Sequence, residues 1–181
     1  YAKSFFKDSN VSIASARAGN VIGGGDWSEN RLIPDIIRAR IANQPLIIRN
    51  PKAIRPWQHV LEPLFGYLKL AKGLYDNPEL TTGPWNFGPE IDDTKTVEEI
   101  INIGKKSEIV GKVVYEESIL FEAQSLKLNI THAKEKLNFK PIWTTQKAVE
   151  ITFDWYKSFY LNSLNANDLI KGNLQSYIDY K

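Results

Sequence analysis

Residues 11–21 read VSIASARAGNV, a run rich in small and β-branched side chains with Arg17 as its one charge. Such a run predicts a strand buried on both faces, as in the interior of a parallel sheet. It runs on into Gly23, Gly24 and Gly25. A dinucleotide phosphate loop places G-x-G-x-x-G between a strand and the immediate start of a helix, with an acid about 20 residues further on. Here the glycines are contiguous and lead into Asp26, Trp27 and Ser28, so the spacing fails. Taken singly, each glycine reads as a turn position that needs positive φ.

Beyond the glycines the chain alternates helical and strand patterns, which sets the fold class as α/β. Ile33, Ile36, Ile37 and Ile41, with Pro34 in the first turn, predict a helix over about 33–43. PLIIRN predicts a short strand. A second helix over roughly 59–75 carries Val60, Leu61, Leu64, Phe65, Leu68, Ala71 and Tyr75 on one stripe, and that face must be covered. GPWNFGP and KVVYEE read as strands. Thr96 and Glu99 form a capping box ahead of Val97, Ile100 and Ile101, and a short helix runs over about 131–138. Thr144 or Thr145 caps a longer helix with Ala148, Val149, Thr152, Tyr156 and Phe159 on its inner side. Past residue 161 the pattern is weak and asparagine-rich, and no role in the fold is expected for it. No repeat or low-complexity linker divides the chain into independent domains.

Composition removes several classes of function. The net charge is +2 over 181 residues, with lysines dispersed among acids, so there is no basic stripe for nucleic acid. The chain has no cysteine, which excludes disulfides, a thiolate nucleophile and cysteine-ligated metal; His59 and His132 are its imidazoles, and no metal site is expected. No apolar run approaches the ~18 residues of a membrane span, so no membrane is expected and the reading is soluble and cytoplasmic. The chain lacks methionine and opens on YAKSFFKDSN, which reads as part of a longer protein.

Three segments are more polar than plain loops require. Asn20 ends an otherwise apolar strand, where open α/β sheets place ligands; alone it also suits a turn. Arg49 and Arg55, with Trp57 and His59, flank two prolines in RNPKAIRPWQHV. Arginine presents a planar fork matched to phosphate oxygens, and the alternative for each is a surface ion pair. His59 reads as a capping or core residue in preference to a general acid. Asn86 stands between two aromatics in WNFGP, either packing at a strand edge or pointing into a cleft.

In this order, RAGNVIGGGDW, NRLIPD, PLIIRNPKAIRPWQHVLEPLFGYLKLAKGLY and GPWNFGP closely resemble the CDP-glucose 4,6-dehydratase family, extended short-chain dehydrogenases/reductases of the sugar-nucleotide branch. The likeness runs over about 4–160, and LKLNITHAKEKLNFKPIW is similar to the superfamily's closing element. It implies an extended Rossmann-type fold, of which this chain is the C-terminal portion. Residues 1–30 would be the remnant of the NAD-binding domain, 31–160 the substrate-binding region with interleaved Rossmann elements, and 161–181 a tail. The family chemistry is that of a lyase: NAD oxidises the sugar at C4, water leaves across C5 and C6, and the hydride returns to C6. A 4-keto-6-deoxy sugar nucleotide results, a precursor for surface glycans such as the lipopolysaccharide O-antigen.

The resemblance also implies residues. Asn20, Arg31, Arg55 and Asn86 would contact the CDP-glucose, with Leu46, Ile47, Ile48 and Arg49 flanking its cytosine. Gly19, Asn20 and Val21 would lie near the nicotinamide of NAD. The glycine-rich NAD loop and the Tyr-x-x-x-Lys pair have no match here: Lys3 is two residues after Tyr1 and not four. The chain alone is therefore expected to hold no catalytic residues and to be inert without the N-terminal half of the same enzyme, which as a whole would be a homo-oligomer. Phe121 stands where relatives commonly have histidine, and Gln124 and Ser125 where other branches use arginine. Two other readings stay open, a different dehydratase or epimerase of the superfamily and a noncatalytic binding or assembly fragment.

Overall fold

The computed structural model describes residues 2–6, 11–116 and 123–180. In chain order the elements are α1 (Ala2–Phe5), β1 (Ala14–Ala18), β2 (Asn20–Ile22), α2 (Leu32–Ile41), β3 (Leu46–Ile48), β4 (Ile54–Arg55), β5 (Trp57–His59) and α3 (Leu61–Asp76). There follow α4 (Pro78–Thr81), β6 (Gly83–Phe87), β7 (Lys95–Thr96), α5 (Val97–Lys106), β8 (Val113–Tyr115), α6 (Thr131–Leu137), α7 (Thr145–Leu161) and α8 (Ala166–Asp179). Phe121 lies outside the described residues.

The strands pair in twos. β1 runs parallel to β6, with Ala14 opposite Gly83 and Ala18 opposite Phe87. β2 runs parallel to β5 and β3 to β8, while β4 and β7 are antiparallel. Parallel pairs need a crossover, and α3 supplies the one between β1 and β6. The first two pairs are stitched at one carbonyl: Phe87 O accepts from Gly19 N at 3.3 Å and from Gln58 Nε2 at 2.8 Å. Gly19 is required at this junction by proximity, since a Cβ there would lie 2.3 Å from Pro56 O.

Two apolar clusters hold the elements. The larger joins Ile33, Ile36 and Ile37 of α2, Ile100 and Ile101 of α5, and Val149, Phe153 and Tyr156 of α7 to the inner residues of β3 and β5. The smaller gathers Leu70, Trp85, Phe87, Ile130, Ala133 and Phe139. Full burial of each such side chain contributes roughly 1.5–3 kcal/mol. The capping box forms, with Thr96 Oγ1 accepting from Glu99 N at 3.2 Å and Glu99 Oε2 accepting from Thr96 N at 2.7 Å. Thr144 caps α7 by accepting from Lys147 N at 3.2 Å. That leaves Thr145 Oγ1 free of the cap, and it sits between two carbonyl acceptors, Asp93 O at 2.5 Å and Trp57 O at 3.1 Å.

Four expectations are corrected. β1 is not buried on both faces: Ser15, Ala16 and Arg17 are exposed, because among the described residues it has one strand neighbour, β6, and α3 packs on it while its other face and edge stay open. The apolar stripe of α3 is not covered either, with Leu64 46%, Leu68 65% and Tyr75 89% exposed. The helix instead turns Glu62, Pro63, Gly66 and Leu70 inward. Gly66 lets it approach the sheet so closely that a Cβ there would lie 2.3 Å from Phe87 Cδ1. His59 belongs to β5 and precedes the helix. The segment after 161 has a role in the fold: α8 seats Tyr177, 1% exposed, against Phe65 and Trp143, with ring centroids 4.9 and 5.0 Å apart. A helix with one fully buried residue leaves little periodicity to read.

Candidate functional site

The glycine turn is built by α7. Gly25 alone of the three has positive φ, at 86°. Gly24 is fixed by proximity, since a Cβ would fall 2.0 Å from Cδ2 of the Trp155 ring. Tyr156 OH donates to Asp26 O at 2.6 Å, and Trp27 packs edge-on against Tyr156 and Tyr160. Burial first, then the nearby Asp26 carboxylate, pushes the Tyr156 hydroxyl up to about 12, so it stays a donor at every physiological pH. The turn is thereby held rigid beside β2.

Next to it opens a groove of about 650 Å³ lined by Gly19, Asn20, Val21, Asp26, Arg31, Arg55 and Trp57, among others. Each arrives from a different local cause. Asn20 is the first residue of β2, paired with Trp57, and its N–H donates to Pro56 O at 2.9 Å. Arg31 is the N-cap of α2 and makes no side-chain cap. Its Nη1 lies 3.7 Å from Asp26 Oδ2 with the side chain 60% exposed, a loose pair of small energetic worth. Burial works against ionising Asp26, but hydrogen bonds from Ser28 and the Arg31 and Arg38 cations outweigh it and hold its carboxyl below the usual range. Arg55 is 8% exposed, and its Nη1 donates to Ile54 O at 2.8 Å, which fixes one side of the guanidinium fork. Trp57 is set by Nε1 donating to Lys95 O at 3.2 Å.

A second groove of about 980 Å³ shares Asn30, Leu32 and Val97 with the first and includes Leu46, Ile47, Ile48 and Arg49. Because side chains alternate along a strand, Leu46 and Ile48 are buried in the core, whereas Ile47, 52% exposed, and Arg49 face outward. Leu46 and Ile48 can offer a ligand little beyond their backbone. Asn86 is not among the residues lining either groove. Its Nδ2 donates to Asn129 O at 3.1 Å, so it ties the segment before α6 to the sheet.

His59 is a core residue and a local cap. It is 2% exposed, its Nδ1 accepts from Leu61 N at 3.3 Å, and its ring meets Trp143 edge-on at 4.9 Å. Burial pushes its pKa down to about 4. Sequence reasoning missed Asp26, Asn30 and Trp57 as groove residues. Asp26 and Trp57 lay inside the motifs that carry the resemblance, but nothing in their type marked them apart from packing or turns. Among the described residues no cluster of three potential metal ligands occurs, and no helix is long and apolar enough to cross a membrane.

Parallel strand pairs, a glycine turn and a groove at its side make this an α/β protein, and its fold is the extended Rossmann-type fold of solved sugar-nucleotide epimerases and dehydratases. Over 99% of its length the chain is 40% identical to CDP-glucose 4,6-dehydratase of Salmonella typhimurium (strain LT2), which bears out the resemblance read from the sequence. No family model matches the chain. Among solved structures, UDP-glucose-4-epimerase from Stenotrophomonas maltophila, with bound NAD and formylated UDP-arabinopyranose, superimposes with a TM-score of 0.74 at 13% identity, over 89% of this chain and 52% of that one. The dTDP-glucose 4,6-dehydratase from Bacillus anthracis, in complex with NAD, gives 0.67 at 16%, over 89% and 48%. The UDP-glucuronic acid 4-epimerase from Bacillus cereus, with UDP-glucuronic acid and NAD, gives 0.71 at 17%, over 88% and 49%. The chain spans about half the length of the curated relative, 51%.

Proposed function

We propose that this chain is the C-terminal, sugar-nucleotide-binding half of a CDP-glucose 4,6-dehydratase, a lyase that uses NAD. The observation that carries the reading is the convergence of Asn20, Arg31 and Arg55 on one groove beside β2, in a chain 40% identical to that enzyme throughout. The donor set suits a diphosphate: two guanidinium groups, an amide and the start of α2 without a side-chain cap. Asn20 and the backbone of Gly19 and Val21 form the edge nearest the reacting sugar and the nicotinamide. Arg31 and Arg55 hold the diphosphate, and Ile47 and Arg49 flank the cytosine from the adjoining groove.

The fit to NAD is partial. Among the described residues no glycine-rich loop runs from a strand straight into a helix, so the phosphates of the cofactor are held by the other half of the enzyme. NAD, when bound, would supply hydride uptake from C4 and its later return to C6, the C4 ketone formed in between being what makes the C5 proton acidic enough for elimination. This chain's residues position the sugar and keep it from diffusing away between those events. The open edge of β1 and the exposed Leu64, Leu68 and Tyr75 of α3 are where the N-terminal half adds its strand and helix.

Titration calorimetry with CDP-glucose, CDP, dTDP-glucose and UDP-glucose tests the reading, using this chain alone and joined to an N-terminal half with NAD present. Tight binding selective for CDP-glucose by the joined enzyme, with turnover to the 4-keto-6-deoxy product, is the expected result. Preference for another nucleotide would point to a different dehydratase or epimerase. Binding without turnover would favour a noncatalytic fragment.

A further inference from the structure

Among the described residues, a deeply buried polar cluster lies outside the groove. Glu62, 1% exposed, sits in the first turn of α3. Its Oε1 accepts from Trp143 N at 2.7 Å and Ile142 N at 3.0 Å, and its Oε2 accepts from Tyr177 OH at 2.8 Å. A buried carboxylate is tolerated only when its oxygens are satisfied in this way, so the three donors and the acid hold one another in place. Tyr177 is the one fully buried residue of α8 and holds its C-terminal part, while Ala166 and Leu169 at its start pack, half-buried, against the larger apolar cluster. The segment held by Glu62 leads directly into Thr145, whose hydroxyl lies between two carbonyls, Asp93 O at 2.5 Å and Trp57 O at 3.1 Å, and whose N–H donates to Asp93 Oδ2 at 2.6 Å. Trp57 lines the groove and pairs with Asn20. The ring of His59, two residues along the same strand, rests on Trp143.

We propose that α8 is a strap that positions the groove, with Tyr177 and Glu62 as positioning residues acting through residues 142–145 on Trp57 and Asn20. The path is continuous: Tyr177 to Glu62, Glu62 to the amides of 142 and 143, Thr145 to the carbonyl of Trp57, and β5 to β2. Losing the Tyr177 donor leaves Glu62 Oε2 with only the longer bond from Ile142 N, at 3.1 Å, and loosens the segment it holds. The strap adds to the proposed nucleotide-binding reading a control on affinity that lies outside the groove. It rests on that reading only for its effect on ligand.

The test is Tyr177→Phe, which keeps the ring and removes the hydroxyl, examined in the intact chain by hydrogen exchange resolved to short peptides. The expected result is exchange about tenfold faster not only in α8 and at 142–143 but also at 57–59 and 20–22. A change confined to α8 and 142–143 would overturn the proposal, because an anchoring residue of purely local effect gives that pattern. Should Tyr177→Phe fail to fold, Glu62→Gln, which keeps one acceptor oxygen for the two amides, is read by the same peptides and the same criterion. Titration of CDP into the enzyme joined to its N-terminal half supplies the second arm, where Tyr177→Phe should weaken binding several-fold. If the unsubstituted enzyme binds no CDP, the nucleotide reading fails while the exchange pattern still decides the strap.

Discussion

Acid should weaken this protein through His59, and the size of the effect follows from its burial. The side chain is 2% exposed and its Nε2 is buried without a hydrogen-bond partner, so the folded state disfavours the imidazolium and the pKa falls from about 6.5 to about 4. An unfolded chain takes up the proton near pH 6.5, whereas the folded one resists until about pH 4. The stabilisation is therefore complete above about 6.5 and is lost as the pH falls from there to about 4. At 1.36 kcal/mol per pKa unit, the whole window corresponds to about 3 kcal/mol, of which about 2.5 kcal/mol is lost between pH 7.5 and 4.5. Glu62 acts with the opposite sign, because burial raises its carboxyl and disfavours the charged form as the pH rises. Comparing the protein with its His59→Phe variant removes that contribution, since Glu62 is present in both. Phenylalanine keeps an aromatic ring against Trp143 and costs the Leu61 N–H its acceptor at every pH. Urea unfolding at pH 7.5 and 4.5 should show the stability difference between the two proteins shifting by about 2.5 kcal/mol in favour of the variant at the lower pH. A difference constant to within about 0.5 kcal/mol would mean that His59 is not held neutral by burial, and the reasoning would fail.

Other predictions concern packing, capping and charge. Gly24→Ala forces a Cβ to 2.0 Å from the Trp155 ring and should cost roughly 1–3 kcal/mol, read as a lowered urea midpoint with unchanged slope. Thr96→Ala removes a capping box that satisfies two amides at the start of α5 and should cost about 1 kcal/mol by the same measurement; a loss below 0.3 kcal/mol, taken as roughly the noise of such data, would count against it. Asp26→Asn releases Arg31 from its 3.7 Å pairing and should tighten CDP binding by the joined enzyme a few-fold at low salt, with the gain shrinking as salt rises. Arg55→Ala should abolish most of that affinity, and an unchanged dissociation constant would remove Arg55 from the site.

Local chemistry made much of this protein legible before any coordinates. The capping box at Thr96 and Glu99, the helix carrying Ile33, Ile36 and Ile37, and the short strand at 46–48 depend on neighbours in sequence, so periodicity and cap spacing suffice to find them. The failure of the glycine spacing to match a phosphate loop was likewise a local fact. So was the ordered set of motifs that carried the resemblance. What lay beyond the sequence were the relations between distant segments. Hydrophobic periodicity says that α3 has an apolar face, but only tertiary packing decides that Glu62, Gly66 and Leu70 are the residues it turns toward this chain's own sheet. A strand run predicts burial only if both its faces are covered, and among the described residues β1 has α3 packed on it and its other face open. Asn20 and Arg55 are 35 residues apart, and no short-range signal says that a parallel pairing of β2 with β5 brings them to one groove. Tyr177 reaches Glu62 across 115 positions, and Tyr156 reaches Asp26 across 130. A single buried hydrogen bond leaves no periodic trace in the sequence, although it joins the last helix to the first turn of α3.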